Sequence, residues 1–285
     1  MSLFRPRGLG WHEDLPDFRD YTPQHPLVSG WLGGLRSAGQ PDPESVDLRE
    51  FFGPARDQAG WPTSAAHACV ALVEYFQRRS FGMLTELSPL FLGQTAAHGG
   101  RAAGLPGVDL RTNMKWMVRC GVPPEHYWAY CPENVRSEPG PHLYRFTTPF
   151  GQIRYLRLDR RNTTGGETLA VVKAFLAAGF PSVFGFAVPD SLTTDGEIPC
   201  RPAFDGLAGG QAAVVVGYDD RRLHRTRGAL LIRCSWGPEW GEQGYGWLPY
   251  TSVEQQMARC FWTLAHEDWL ATGEFHRPGR ATDGA

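Results

Sequence analysis

The sequence contains no hydrophobic run long enough to cross a lipid bilayer. The longest apolar stretch, around residues 177–189, is short and interrupted by glycine and proline, whereas a membrane-spanning helix needs about 20 apolar residues. An excess of one charge is also lacking, because 28 Lys and Arg stand against 30 Asp and Glu, for a formal net charge of −2. This balance favours neither a nucleic-acid partner nor an anionic membrane surface.

Signals typical of several other protein classes are missing as well. The first ten residues include arginine but no apolar core of the kind found in secretory signals,. None of the six cysteines forms a CxxC pair, so a structural zinc site is not expected. Without a secretion signal, the thiols are expected to stay reduced. We therefore expect a cytoplasmic protein without metal or cofactor, whose oligomeric state stays open.

Glycine and proline, in contrast, are abundant. The 34 Gly and 23 Pro together make 57 of the 285 residues, which indicates many turns and loops. Hydrophobic residues make 42% of the chain, enough to exclude a disordered protein. A chain of this length forms one large domain or two lobes.

Helical patterns dominate the first half of the chain and strand patterns the second half. Helices are predicted over 63–79, 88–97, 111–120 and 167–178, and strands over 153–158, 182–188, 211–218, 229–234 and 245–248,. The first helix is apolar on nearly all sides, so we expect it to be buried. This order of elements predicts an α+β fold with two lobes and a cleft between them.

Three regions are predicted along the chain. Residues 1–43 form an extended N-terminal segment, for which Trp11, Leu15, Phe18 and Tyr21 are the predicted anchors. Residues 44–268 form the main domain, with one lobe over about 44–140 and a second over about 141–268. Residues 269–285 form a C-terminal tail.

A glutamine lies six residues before a serine at the start of the predicted buried helix. Gln58 can donate from its side-chain amide, and the N-terminus of the helix at Ser64 offers free N–H groups,. Together they could bind an oxyanion, with Ser64 in the position of a nucleophile. Alternatively, Ser64 only caps the helix.

Three segments resemble the active-site blocks of the papain-like (C1) cysteine peptidases. They are DQAGWPTSAA (57–66), GGQAAVVVGYDD (209–220) and LIRCSWGPEWGEQGYG (231–246), and the opening GWHEDLPDFRDY resembles the N-terminal segment of bacterial and archaeal members. The resemblance extends over about residues 8–269. It implies a two-lobed fold, with a helical lobe around a buried central helix and an antiparallel, β-barrel-like lobe.

The resemblance places other residues at the three catalytic positions of that family. Ser64 takes the position of the nucleophilic cysteine, Gln211 that of the histidine and Cys234 that of the orienting asparagine. Ser64 and Gln211 are 147 positions apart, near the ~130–150 typical of the cysteine–histidine pair. Because a glutamine amide cannot act as a base, the resemblance implies a peptidase without its catalytic residues, a pseudopeptidase.

The apparatus that would hold a peptide is retained. The expected cleft residues are Gln58 (the oxyanion-hole equivalent), Ser64, His98, Gly99, Gly100, Gln211 and Trp236. The leading hypothesis is an inactive protein that binds a peptide or protein segment in the former cleft, as an adaptor, a precursor-peptide chaperone or a structural subunit.

The alternative hypothesis is a repurposed enzyme. It would perform acyl transfer, amide hydrolysis or cyclisation with Ser64 or Cys234 and the retained oxyanion donors. His67 or His98 would serve as its base. Whether residues 1–43 occupy the cleft stays open.

Overall fold

The secondary structure follows the predicted change from helices to strands. The computed structural model describes residues 2–15, 17–26, 29, 42–99, 107–148, 150–160, 162–199, 205–222 and 228–276. The helices are α1 (Ser64–Phe81), α2 (Pro89–Gly99), α3 (Leu110–Cys120), α4 (Pro132–Val135), α5 (Gly165–Ala177), α6 (Tyr250–Glu254) and α7 (Glu267–Ala271). The strands are β1 (Ser45–Asp47), β2 (Arg154–Arg157), β3 (Ser182–Pro189), β4 (Leu207–Asp219), β5 (Ala229–Arg233), β6 (Tyr245–Pro249) and β7 (Ala258–Ala265).

Helix α1 is the central helix. Most of its side chains are buried, and they pack against α2 and α3 on one side and β4 on the other. The helix ends at Gly82, whose φ of 65° is a left-handed conformation that glycine adopts at no steric cost,. Farther along the chain, Trp269 stacks on Phe76 of this helix with ring centroids 4.7 Å apart. The prediction of a buried central helix is confirmed.

The strands form one antiparallel sheet of seven. Six strands follow the order β2-β7-β3-β4-β5-β6, and the seventh, β1, pairs with part of β4. Because β2 and β6 lie at opposite ends, the sheet is not closed into a barrel. β3 pairs with β4 along its full length, from Ser182 opposite Val215 to Pro189 opposite Leu207. The sheet therefore packs against α1 through its two central strands.

Residues 2–15 and 17–21, here called the N-terminal segment, lie along the body of the protein through main-chain hydrogen bonds. The amide of Phe4 donates to the carbonyl of Leu192 (2.7 Å), and the amide of Arg157 donates to the carbonyl of Tyr21 (2.8 Å). Leu15 and Phe18 are 80% and 98% exposed. Their prediction as anchors was wrong, because both side chains face the solvent.

The structure also bears on membrane insertion. None of the helices in the described ranges combines the length and apolar character that crossing a bilayer requires.

Candidate active-site cleft

The buried amide of Gln58 connects three parts of the chain. Its Nε2 donates to the carbonyl oxygens of Gly8 (2.9 Å) and Trp61 (3.0 Å). Its Oε1 accepts from Ser235 Oγ (2.6 Å) and Gln211 Nε2 (2.9 Å). The amide orientation is therefore fixed, and one N–H points at a peptide carbonyl, as an oxyanion-hole donor would.

Ser64 is the first residue of α1 and is 1% exposed. Its Oγ accepts a hydrogen bond from the amide of Ala212 in β4 (3.3 Å), so it connects the helix to the sheet. The structure records no side-chain cap at the start of α1, and the N-cap interpretation was wrong. Among the described residues, no basic side chain is hydrogen-bonded to Ser64, so the hydroxyl has no base to activate it.

Gln211 lies in β4, is completely buried and contacts the side chain of Gln58. Its Nε2 also lies 3.3 Å from Ser235 Oγ, while its Oε1 has no hydrogen-bond partner within the described ranges. An amide neither takes up nor releases a proton near neutral pH. The structure thus brings Gln58, Ser64 and Gln211 together, and none of the described side chains bonded to them is a general base.

Cys234 directly follows β5 and is 1% exposed. Burial raises the pKa of its thiol well above the ordinary value, although the Arg233 guanidinium acts in the opposite direction. The thiol therefore stays protonated at neutral pH, whereas nucleophilic attack requires the thiolate. The cysteines that the structure describes are free thiols: Cys69, Cys120, Cys131, Cys234 and Cys260.

His67 points into the interior rather than toward a reactive group. Its ring meets that of Tyr130 edge-on with centroids 4.8 Å apart, and its Nδ1 is hydrogen-bonded to the carbonyl of Thr63 (3.0 Å). Burial lowers the pKa of His67 to about 3. The imidazole is therefore neutral at physiological pH and a very weak base.

His98 and Gly99 lie at the exposed end of α2. His98 is hydrogen-bonded to the carbonyl of Gln94 (2.7 Å), and this contact raises its pKa. A Cβ at Gly99 would overlap the ring of Trp116 rather than anything in the cleft. Gly100 lies outside the described residues. On the helical side Gly107 contacts the N-terminal segment, since a Cβ there would overlap the carbonyl oxygen of Gly10.

The N-terminal segment runs between the two sides of the cleft. On the sheet side, the amides of Gly10 and Trp11 donate to the carbonyl of Gly210 (3.2 and 3.1 Å). On the helical side, a Cβ at Gly8 would clash with the backbone of Trp61. Such backbone-to-backbone approach requires glycine. The groove between the two sides is thus occupied by the chain itself.

The same architecture is found in solved cysteine peptidases. Xylellain, a cysteine protease from Xylella fastidiosa, matches this structure with a TM-score of 0.72 and 26% identity, over 93% of this chain and 99% of xylellain. The chain has the fold of a papain-like C1 cysteine peptidase. The procathepsin B S9 of Trypanosoma congolense shares this papain-like fold at a TM-score of 0.65 and 17% identity, over 92% of this chain and 86% of that one.

Two curated relatives support the resemblance at the level of sequence. An uncharacterised peptidase C1-like protein of Acanthamoeba polyphaga mimivirus is 30% identical over 165 residues, which is 55% of this chain and 51% of that protein. Chymopapain of Carica papaya is 25% identical over 224 residues, 75% of this chain and 57% of chymopapain. The matches thus span little more than half the length of either relative. No family model matches the chain.

Trp236, another of the expected cleft residues, packs against the N-terminal segment. It is 6% exposed and packs between Trp240, with centroids 4.7 Å apart, and Phe4 of the N-terminal segment, at 5.5 Å. Asp57 pairs with Trp236 through an isolated β-bridge. That Trp236 belongs to the cleft stays a prediction.

The sequence analysis missed two partners of Gln58. Ser235 is the serine of the SWG motif, so the motif indicated its position in the sequence. The motif did not indicate that its hydroxyl bonds Gln58. Tyr130, whose hydroxyl donates to the carbonyl of Gln58 (2.9 Å), lies in a proline-rich loop without any recognisable motif. Its position depends on how that loop packs.

Proposed function

We propose that this chain is a catalytically inactive papain-like protein that holds a peptide or protein segment in its cleft. The observation that carries the proposal is the hydrogen bond from Gln58 Nε2 to the carbonyl oxygen of Gly8 (2.9 Å). The donor of an oxyanion hole here binds an intact peptide bond. Within the described ranges, no activated nucleophile accompanies it.

The loss of catalysis is argued from the neighbouring groups. Catalysis of this type needs a nucleophile, a base and a group that orients the base. Ser64, Gln211 and Cys234 supply a buried hydroxyl, an amide and a protonated thiol instead. Because members of a triad act as a unit, losing all of them removes nearly all of the rate enhancement. The buried, inert state of Ser64 and Cys234 also gives no support to a repurposed enzyme.

The proposed ligand is a segment recognised mainly through its backbone. The N-terminal segment already binds in this way, through Gln58 and the carbonyl of Gly210. We infer that a partner's peptide takes the same place when the segment leaves. The protein would then act as an adaptor, a chaperone for a precursor peptide or a structural subunit.

A turnover assay tests the catalytic half of the proposal. The full chain and the variants Ser64→Ala and Ser64→Cys are incubated with fluorogenic peptides. No cleavage above buffer is expected from any of them, because Gln211 cannot act as a base. Brisk cleavage by the wild type that Ser64→Ala abolishes would overturn the proposal. The triple change of Ser64→Cys, Gln211→His and Cys234→Asn serves as the restoring variant.

A binding assay tests the other half. In a full-chain Trp11→Ala variant, the chain's own segment loses a partly buried ring and should leave the cleft more often. A labelled synthetic peptide of residues 2–21 should bind this variant more tightly than the wild type, as measured by fluorescence anisotropy. Phe18→Ala is the matched control, because that ring is 98% exposed. Equal affinity for both variants would contradict a peptide-binding cleft.

A further inference from the structure

The stretch GLGWHED (8–14) of the N-terminal segment shows which kind of peptide the cleft accepts, because it lies there. Gly10 and Asp14 are buried, and Trp11 is partly buried against the hydrophobic core. The two positions that follow Trp11 are exposed. Contacts with the body of the protein are therefore concentrated at a few positions with a fixed spacing.

Two of these positions are restricted to glycine by the loop before α1. A Cβ on Gly8 would stand 2.7 Å from the backbone nitrogen of Trp61. A Cβ on Gly10 would stand 2.5 Å from the Cβ of Pro62. Gly8 also has a φ of 71°, which residues with a side chain seldom adopt,. The loop thus excludes side chains at both positions.

The position after Gly10 takes a large planar ring. A Cβ on Gly185 in β3 would overlap the ring of Trp11, and one on Gly210 in the neighbouring strand β4 would stand 2.9 Å from Cε3 of this ring. The amide of Trp11 donates to the carbonyl of Gly210 (3.1 Å). These two strand glycines leave a space for the ring, here called the ring niche.

The ring niche selects its ring by shape and not by a hydrogen bond. The Nε1 of Trp11 is buried and has no hydrogen-bond partner among the described residues. Burying an N–H without an acceptor is unfavourable, so the favourable part of the contact comes from the apolar surface of the ring. A ring of the same shape that lacks the N–H should therefore bind at least as well.

A carboxylate occupies the position three residues after the ring. Asp14 is 3% exposed, and its Oδ2 accepts from Arg157 (3.1 Å) and from Trp262 Nε1 (3.2 Å). Arg111 lies 3.6 Å from the same oxygen. Two cationic side chains and an indole N–H thus face one buried carboxylate. A neutral side chain at this position would leave the two guanidinium groups without their charged partner.

We propose that the cleft selects a partner segment by the pattern Gly-x-Gly-Trp-x-x-Asp, in which x is any residue. This selection rests on the proposed function, because a partner's peptide must enter the cleft when the chain's own segment leaves. Hydrogen bonds to the peptide backbone hold such a segment, and four side-chain positions decide which segment is held. In this chain they are occupied by Gly8, Gly10, Trp11 and Asp14.

A panel of synthetic peptides tests the pattern on the full-chain Trp11→Ala variant. The parent peptide has the sequence of residues 2–21. Peptides with Gly10→Ala, Trp11→Ala or Asp14→Asn should each bind at least about tenfold more weakly, because each loses the steric fit, the ring or a charged hydrogen bond. Leu15→Ala is the matched control peptide, because that side chain is 80% exposed, and it should bind like the parent. Fluorescence anisotropy measures the affinities.

Binding of the parent peptide tests the proposed function, and the differences between the peptides test the pattern. If the parent does not bind, the proposed function and the pattern are both wrong. If all peptides bind with equal affinity, the cleft holds peptides without regard to sequence, and only the pattern is wrong. Should the Trp11→Ala chain fail to fold, a full-chain Gly10→Ala variant replaces it, because the new Cβ would clash with Pro62 and displace the segment.

The ring niche is tested separately. In a full-chain double variant, Trp11→Ala with Gly185→Ala, the new Cβ takes the space of the ring. The parent peptide should then bind no better than the Trp11→Ala peptide. A peptide with 3-benzothienylalanine at position 11, in which sulfur replaces the indole N–H, should bind the single variant at least as tightly as the parent. A preference for the parent that survives in the double variant, or a tenfold loss with benzothienylalanine, would overturn the assignment of the niche.

Discussion

At the scale of single residues, Gln58 makes the largest contribution to the architecture of the cleft. Its amide joins the N-terminal segment, the loop before α1 and the sheet through four hydrogen bonds. Every polar atom of this side chain is used although it is completely buried. A side chain in such a network is costly to remove, because each partner is left unsatisfied.

Gln58→Leu tests this role. We expect a loss of about 3 kcal/mol in the free energy of unfolding, because several buried polar groups lose their partner at once. Ser235→Ala is the milder variant for comparison. It removes only one donor to Gln58, so the free energy of unfolding should fall by about 1 kcal/mol. Urea unfolding measures both. Equal losses would contradict a central position for Gln58.

His67 makes stability depend on pH. The unfolded chain takes up a proton near the ordinary histidine pKa of 6.5, whereas the folded chain does so only near a pKa of about 3. The contribution of His67 to the free energy of unfolding is therefore fully present above pH 6.5 and is lost as the pH falls toward 3. From pH 6.5 to 5 the wild type should lose about 2 kcal/mol relative to His67→Leu.

Urea unfolding at several pH values checks this expectation, with the exposed His142→Gln as a control that should follow the wild type. Parallel pH profiles for wild type and His67→Leu would contradict the prediction, because they would show that the imidazole takes up its proton as readily in the folded chain as in the unfolded chain.

At the scale of secondary-structure elements, β3 determines where the N-terminal segment can lie. Gly185 in this strand leaves room for the indole ring of Trp11, and a Cβ there would overlap that ring. Gly185→Ala should therefore push the ring out of its place. The expected results are a red shift of tryptophan fluorescence and faster amide exchange over residues 8–11.

The matched control for Gly185 is Gly166 in α5. A Cβ at Gly166 meets no atom within 4 Å, so Gly166→Ala should leave the fluorescence unchanged. This control should raise stability by up to about 1 kcal/mol, because alanine favours helix more than glycine does. Protected amides over residues 8–11 in Gly185→Ala would show that the ring does not fix the segment.

Elements with a periodicity of their own could be predicted from the sequence, and elements that depend on a partner could not. Helix α1 and strands β3 and β4 have long apolar patterns and were predicted within a few residues. β1 has only three residues and exists through its pairing with β4. β7 was missed although its aromatic residues are typical of a strand. Its backbone is unusual at Cys260, where φ is 58°.

At the scale of the whole molecule, Asp14 ties the N-terminal segment to both lobes. Its Oδ2 accepts from Arg157 in β2 (3.1 Å) and from Trp262 Nε1 in β7 (3.2 Å), and Arg111 in α3 lies 3.6 Å away. Burial raises the pKa of Asp14, although the charge of Arg157 opposes this effect. Asp20 pairs with the same Arg111 at 2.5 Å.

Asp14→Asn should release the segment, because it breaks a buried ion pair and leaves Arg157 without that charge. Breaking such a pair costs about 3 kcal/mol. Hydrogen exchange over residues 8–21 and urea unfolding measure the two effects. Asp17→Asn is the control, since Asp17 pairs with the largely exposed Arg19, and it should change neither measurement. A protected segment in Asp14→Asn would show that the backbone contacts suffice.

The residues that form the cleft could be predicted from the sequence, but the segment that occupies the cleft could not. The motif blocks indicated Gln58, Ser64 and Gln211, and the structure brings these three together. That Gly8 supplies the carbonyl held by Gln58 depends on how residues fifty positions apart dock. For the same reason Gly107, rather than Gly99, contacts the N-terminal segment.

The covalent link between the N-terminal segment and the cleft has a consequence for any external ligand. A tethered ligand acts at an effective concentration that reaches the order of millimolar. The apparent dissociation constant of a competitor equals its intrinsic constant divided by the fraction of molecules in the open state. A chain that is open in about 1% of molecules would weaken a competitor about a hundredfold. Affinity would then report the release of the segment as much as the fit of the ligand, and a single change at Trp11 or Asp14 could tighten binding without touching the ligand.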